Sequence, residues 1–251
     1  MFLAVDIGNS SIKFGVFDHD ELTTKFFIPT KHDYTADEIA KQVGNRLDSS
    51  TDAAIVCSVV PEMDQALSTY LSHAIGAEPR FVKTSDDFGL TFNSKTEGMG
   101  TDRLVNSFAA ARKYGVPVIV VSFGTATTFD VINANREYLG GLIAPGINVT
   151  VKALASAASK LPEVDLIKPE RVIAKTTETA IQSGVIYGHI AMVEGLLGRV
   201  ASELNNNPKV VATGGFAELI AREINAIDIV DTDLTLEGLM MLDAGERHGT
   251  A

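Results

Sequence analysis

"VPVIVVSFGTATTFD", residues 116–130, carries an apolar strand straight into a turn of small and hydroxylated residues. A β-branched run that ends in glycine and hydroxyls exposes consecutive backbone N–H groups, an arrangement able to hold a phosphate. The chain opens on the same pattern, "MFLAVDIGNSSIKFGVF" over residues 1–17. With the two stretches superposed, Gly8 falls on Gly124 and Asn9 on Thr125, whereas the strand-ending Asp6 falls on Ser122. A strand–turn–strand unit built twice, with an acid in one copy alone, decides how the rest is read.

Around the first copy the alternation predicts strands over 2–6, 11–17 and 23–28, with "DHDE" as a turn. An amphipathic helix follows over 33–49, with Thr35 as N-cap and Ile39, Val43 and Leu47 on one face. "AAIVCSVV" reads as a buried strand, Pro61 opens a helix to Gly76, and "RFVK" is a short strand. "TDRLVNSFAAARKYG" is a helix that stops at Gly115. From residue 117 the order restarts with strands over 117–121, 127–132 and 138–144. Helices at about 147–159 and 178–204, the strand "KVVAT", the helix "FAELIAREI" and a C-terminal helix "LTLEGLMMLDAG" complete it. Three hairpinned strands followed by alternating helices and strands thus occur twice. The expectation is a duplicated α/β domain, residues 1–115 and 116–251, with a ligand cleft between the halves.

Composition narrows the function. A length of 251 residues has room for two domains of roughly 100–150 residues each. A net charge of −11, from 32 acids against 21 bases, disfavours nucleic acid as a partner. No apolar run approaches the ~20 residues that span a bilayer, and Asp6 lies too early for a signal peptide, so a cytoplasmic protein is expected. Cys57, the lone cysteine, sits in an apolar strand as a packed core thiol. His19, His32, His73, His189 and His248 lack metal-ligand spacing, so no zinc site is expected. Stripes such as "AMVEGLLGRV" read as helix core.

In "DIGNSSIKFG", Gly8 lets the backbone approach a ligand, and Asn9, Ser10 and Ser11 add side-chain donors. Lys13 is placed to reach a terminal phosphate, and Asp6 suits the water shell of a Mg²⁺ ion, a hard cation that prefers carboxylate oxygen. An ordinary hairpin turn with a surface acid is the plainer account of one loop; the second copy favours phosphate binding. In "TEGMGTDRLVNSFAAARKYG", Asp102 and Arg103 stand where a helix begins. Two readings stay open there: a helix cap beside a solvated charge, or a general base with Arg103 orienting a polar substrate. "GGLIAPG" (140–146) suits close packing into a helix start. "ATGGFAE" (212–218) is either a packing turn or a seat for a base or ribose.

Paired loops on three-stranded hairpins resemble the actin and sugar-kinase superfamily. "DIGNSSIKFG", "SVVP" (58–61), "GTDR" (100–103), "FGTATTFD", "GGLIAPG", "AIQSG" (180–184) and "TGG" (213–215) occur in the order found in type III pantothenate kinases. The resemblance covers nearly the whole chain, including the tail "DLTLEGL". It implies RNase H-like (actin-like ATPase) domains and ATP-dependent phosphorylation of the terminal hydroxyl of pantothenate, the first step to coenzyme A. Asp6, Ile7, Gly8, Asn9, Ser10, Ser11, Ile12 and Lys13 would form the first ATP-phosphate loop, and Gly124 and Thr125 the second. Phe92, Gly100, Thr101, Asp102, Arg103 and Thr177 would meet the substrate, with Asp102 as the catalytic base. A homodimer, Mg²⁺ held by Asp6, and a monovalent cation such as K⁺ or NH4⁺ complete the implied set.

The sequence departs from that family at several positions. The second loop's usual acid, which helps to hold the monovalent cation, is Ser122 here, a neutral and weaker ligand. Phe92 stands where a substrate-contacting Tyr is usual, forgoing a hydrogen bond of roughly 0.5–1.5 kcal/mol. Ser94 and Thr176 replace the usual Pro and Asn. Two other readings remain beside the kinase: a catalytically impaired nucleotide-binding homologue with a regulatory role, and a different small-molecule kinase of the superfamily.

Overall fold

The computed structural model describes residues 1–47, 50–92, 98–204 and 206–247. In chain order the elements are β1 (Phe2–Ile7), β2 (Ser11–Asp18), β3 (Glu21–Pro29), α1 (Ala36–Val43), β4 (Ala53–Ser58), α2 (Pro61–Ile75), β5 (Arg80–Phe81), β6 (Thr91–Phe92) and α3 (Thr101–Tyr114). There follow β7 (Val118–Phe123), β8 (Ala126–Ile132), β9 (Glu137–Pro145), α4 (Ile147–Ala157), α5 (Thr177–Leu204), β10 (Lys209–Thr213), α6 (Ala217–Ile220), β11 (Ile229–Val230) and α7 (Leu234–Arg247). The chain divides into two compact units, Met1–Arg112 with the stretch from Asp233 onward, and Lys113–Thr232. Among the described residues no helix is long and apolar enough to cross a membrane.

In the first unit the strand order is β3-β2-β1-β4-β5. β1 pairs antiparallel with β2 and parallel with β4, and β4 runs parallel with β5. Every residue of β1 is buried because helices cover both sheet faces, and the period of two then sorts its side chains. Leu3, Val5 and Ile7 join Ile39 of α1 and Met63 and Leu67 of α2 on one face. Phe2 and Ala4 join Ile55 and Cys57, Leu104 and Val105 of α3, and Leu236 and Leu239 of α7 on the other. Asp6, two residues beyond Ala4, belongs by alternation to this second face.

Lys113–Thr232 repeats the plan. Its own strands run β11-β10-β7-β8-β9, with β7–β9 antiparallel and β10 and β11 parallel. Read from β9 inward this is the connectivity of the first unit, strand for strand, as the duplicated sequence pattern requires. Ile119, Val121 and Phe123 of β7 face a core with Ile147 and Val151 of α4 and Val185, Ile186 and Ile190 of α5.

Three expectations change. The helix proposed over 33–49 ends at Val43, and a 3₁₀ turn occupies Gly44–Arg46. Its start is as read: Thr35 and Glu38 form a reciprocal capping box. The apolar period continued to Leu47, but Gly44 adopts a φ of +57° and breaks the ladder; Asp48 and Ser49 lie outside the described residues. The helix proposed over 216–224 is one short α-turn followed by a 3₁₀ turn. Finally, the C-terminal helix, placed with the second half from sequence order, belongs to the first unit. Gly238 explains the fit: a Cβ there would press on Ala109 Cβ and Val105 Cγ1 at 2.9 Å, so α7 lies close on α3. Buried Thr235 Oγ1 donates to Asn106 Oδ1 at 2.8 Å beside this contact.

Candidate functional site

The first loop lies between β1 and β2. Gly8 N–H donates to Ser11 O at 3.1 Å, closing a tight turn. Thr30, at the end of β3, pins it from the side: its hydroxyl donates to Gly8 O at 2.6 Å and its N–H to Ser10 O at 3.2 Å. Asn9 and Ser10 are exposed at the tip. Ile7 and Ile12 are fully buried in the core, so only their backbone can meet a ligand. Asp6, 7% exposed, faces Lys13 in the β1–β2 register, and Lys13 Nζ is 3.3 Å from Asp6 Oδ2.

Asp6 is also the β1–β4 register partner of Cys57, and this rung leads to the start of α3. Thr101 Oγ1 donates to Ser58 O at 3.0 Å and lies 3.2 Å from Cys57 Sγ. Asp102 Oδ1 accepts from Arg103 N–H at 2.9 Å, and Arg103 N–H also reaches Gly100 O at 3.1 Å. A Cβ on Gly100 would meet the Asp102 carboxylate, so glycine there lets that carboxylate keep its present position. Burial raises the Cys57 thiol pKa well above its usual value, with the Asp6 and Asp102 carboxylates adding to the shift. One face of the first sheet thereby collects Asp6, Lys13, Thr101 and Asp102, drawn from two separate sequence motifs, around an inert thiol. The capping and functional readings of Asp102 are compatible, since the N-terminal turn of a helix favours a carboxylate's charge.

The second loop is equally tight. Gly124 N–H donates to Ala126 O at 3.0 Å, and Thr125 is exposed at the tip. Gly146, at the β9–α4 junction, donates its N–H to Thr125 O at 3.1 Å. A Cβ there would collide with the carbonyls of Gly124 and Thr125, which gives "GGLIAPG" its reason. Gly214 holds a φ of +94°, and a Cβ on it would lie 2.6 Å from Phe123 O. "TGG" therefore brings β10's end against β7's, and Phe216 N–H donates to Phe123 O at 3.2 Å. Ser122 has Thr128 and Thr213 as register partners, making a row of three hydroxyl residues. Thr128 Oγ1 is buried with no hydrogen-bond partner.

Thr177 opens α5 and is exposed. It stands at the rim of a cavity of about 600 Å³ in the second unit, with Leu154, Ile181, Val185, His189 and Met192 among its walls. Thr176, in place of the usual Asn, still works as a cap: its hydroxyl accepts from Thr179 N–H at 3.2 Å. Phe92 packs its ring on the core beneath α3. Ser94 lies outside the described residues. Thr30 and His189 were not singled out from sequence, and Ser58 entered only as the first residue of "SVVP". Isolated hydroxyls and a lone histidine on an apolar helix carry no spacing signal. Among the described residues, no group of three or more His, Cys, Asp or Glu side chains converges to hold a metal ion.

Two copies of one strand–turn–strand loop, each heading a sheet of the same connectivity, define the actin-like ATPase and sugar-kinase fold. Solved structures agree. The chain is similar to the ethanolamine utilization protein EutJ from Carboxydothermus hydrogenoformans, with a TM-score of 0.55 at 17% identity, covering 96% of this chain and 89% of that one. It is also similar to the inorganic polyphosphate/ATP-glucomannokinase from Arthrobacter sp. strain KM, with a TM-score of 0.50 at 14% identity over 98% of both chains. The family is narrower. The model of type III pantothenate kinase matches residues 2–199. The type III pantothenate kinase of Roseiflexus sp. strain RS-1 is 44% identical over 249 residues, 96% of this chain and 98% of that protein. The chain belongs to the type III pantothenate kinase family.

Proposed function

We propose that this protein transfers the γ-phosphoryl group of ATP to the terminal hydroxyl of pantothenate, giving 4'-phosphopantothenate, the first step of coenzyme A biosynthesis. The observation that carries the reading is the gathering of Asp6, Lys13 and Asp102 on one sheet face, in a chain of this family. Phosphoryl transfer demands positioning and charge stabilisation more than covalent chemistry, and these residues are suited to both. In the first unit the Gly8–Ser11 turn offers backbone N–H groups and hydroxyls to phosphate oxygens, and Lys13 offsets negative charge on the transferring group. In the second, the turn at Gly124 and Thr125 offers ATP a backbone N–H and a hydroxyl of the same kind. Gly100–Arg103 bind pantothenate; Asp102 accepts the hydroxyl proton as the oxygen attacks, and Arg103 orients the acid. Thr177 adds a further substrate contact.

Asp6 fits Mg²⁺ as a single carboxylate ligand, since Mg²⁺ is usually held by one or two carboxylates, phosphates and water. The ion would supply charge neutralisation at the phosphates. Ser122 and the unpartnered Thr128 hydroxyl are oxygen donors for a monovalent cation but bring no charge, so K⁺ would be held weakly. A cytoplasmic homodimer completes the reading. ADP release dependent on pantothenate, measured for wild type and Asp102→Asn, tests it. Turnover that falls by about 10²–10⁴ in the variant with unchanged melting temperature supports Asp102 as base; no turnover in the wild type overturns the function.

A further inference from the structure

His189 lies on α5, remote in sequence from the second loop, yet its imidazole touches both stems of that loop. Nε2 is 3.0 Å from Thr127 Oγ1 in a buried contact. On the same side the ring lies 6.1 Å, centroid to centroid, from that of Phe123, tilted by 55°. Phe123 and Thr127 are register partners, the final rung of the β7–β8 ladder. Only Gly124, Thr125 and Ala126 lie between them. The imidazole thus sits under the last rung before the loop, 7% exposed, beside the apolar cluster that holds Phe123, Ile186 and Ile190.

A three-residue loop held by two backbone bonds at its edges takes its direction from the rung beneath it. Gly146 N–H already engages the loop carbonyl of Thr125, and Phe216 N–H the carbonyl of Phe123 on the β7 stem. The hydrogen bond to Thr127 is the side-chain anchor from below, and the Phe123 ring fixes the other stem. Burial makes this bond geometrically exacting, because Thr127, 1% exposed, cannot turn to water instead.

We propose that His189 is a positioning residue for the nucleotide: through Thr127 and Phe123 it holds Gly124 and Thr125 in the orientation that receives ATP. This rests on the reading of Gly124 and Thr125 as nucleotide contacts. His189 also forms part of the wall of the cavity that Thr177 rims, whereas Thr127 does not. Thr127→Val, which keeps side-chain shape and removes the hydroxyl, therefore separates the loop effect from any effect on the cavity.

The test uses the full chain as wild type, Thr127→Val, His189→Leu, the double variant and His189→Gln, whose amide reaches where Nε2 stood. Calorimetry with a non-hydrolysable ATP analogue gives Kd, and steady-state kinetics gives KM for each substrate. The expected result is an analogue Kd and an ATP KM raised about five- to tenfold in each single removal, with pantothenate KM nearly constant in Thr127→Val. The double variant should be no worse than either single, and His189→Gln should recover most of the loss. Wild-type affinity in Thr127→Val, multiplying effects in the double variant, or a pantothenate KM that rises in step overturns the proposal. Should His189→Leu fail to fold, Thr127→Val and His189→Gln still decide. A wild type that binds the analogue but leaves pantothenate unphosphorylated sinks the kinase reading alone, and the calorimetric cycle still tests the bracing. A wild type that does not bind the analogue overturns both.

Discussion

Lys13 Nζ stands 3.3 Å from Asp6 Oδ2, and the two residues are register partners on adjacent antiparallel strands. The lysine side chain is one third exposed and the carboxylate almost wholly buried. A part-exposed pair contributes little to stability, about 0–1 kcal/mol, so its worth lies in where it holds two charges, beside the Gly8–Ser11 turn proposed to meet phosphate. Lys13→Ala should lower kcat/KM for ATP about ten- to hundredfold, the loss of one charge-assisted hydrogen bond. Melting should move by no more than a few degrees. A large melting shift with unchanged kinetics would make the pair structural.

Gly214 and Gly215 are neighbours with opposite constraints. Gly214 has a φ of +94° and Phe123's backbone against its missing Cβ; Gly215 has open space there. Gly214→Ala combines a left-handed residue with an overlap, together about 2–4 kcal/mol, or a melting temperature lower by roughly 4–12 °C for a chain of this size. Gly215→Ala should stay within about 1 °C of wild type. Scanning calorimetry of both reports whether the β7–β10 approach is as tight as the geometry requires.

How much of this was legible in the sequence follows from the range of the forces involved. The apolar runs of β1 and β4, the Thr35 N-cap and the repeat of strand–turn–strand units are local, and the structure has each of them. Strands of two residues, such as β11, leave no period to read. Gly44 ended a helix whose apolar spacing ran on, because a backbone dihedral outweighed a weak amphipathic preference. The assembly of Asp6 with Asp102 needed the β1–β4 register, which no local pattern supplies. His189 was invisible for a similar reason: α5 has 28 residues and is apolar around much of its circumference, so which face meets the loop is a tertiary fact.

Burial lowers the His189 pKa below its usual value, so the folded protein holds this ring neutral. The unfolded chain takes up a proton near pH 6.5, and the folded one only at lower pH. The stability linked to His189 is therefore fully present above about pH 6.5 and is lost as pH falls through that value towards the folded pKa. Melting curves between pH 5 and 8 should show this acid-side loss in wild type and a smaller one in His189→Gln. Equal slopes would mean that the ring is not held neutral by the fold.

Ser122, between Thr128 and Thr213, would offer a monovalent cation hydroxyls without charge. Replacing Na⁺ by K⁺ should therefore change the wild-type rate little, and Ser122→Asp should raise both the rate and its response to K⁺. The same rate in either salt for Ser122→Asp would place the cation elsewhere.

Because α7 follows the whole of Lys113–Thr232 yet belongs to the first unit, the order of synthesis is not the order of completion. A ribosome releases every residue of the second unit before it supplies Leu236, Leu239 and Leu242. Those leucines cover the sheet face that carries Phe2, Ala4 and Cys57. The unit encoded in the middle can close first, while the one begun at the amino terminus keeps an apolar sheet face open until the last turns of helix emerge. A message truncated after Thr232 would thus yield one finished unit and one with an uncovered sheet, the kind of surface on which chaperones and proteases act.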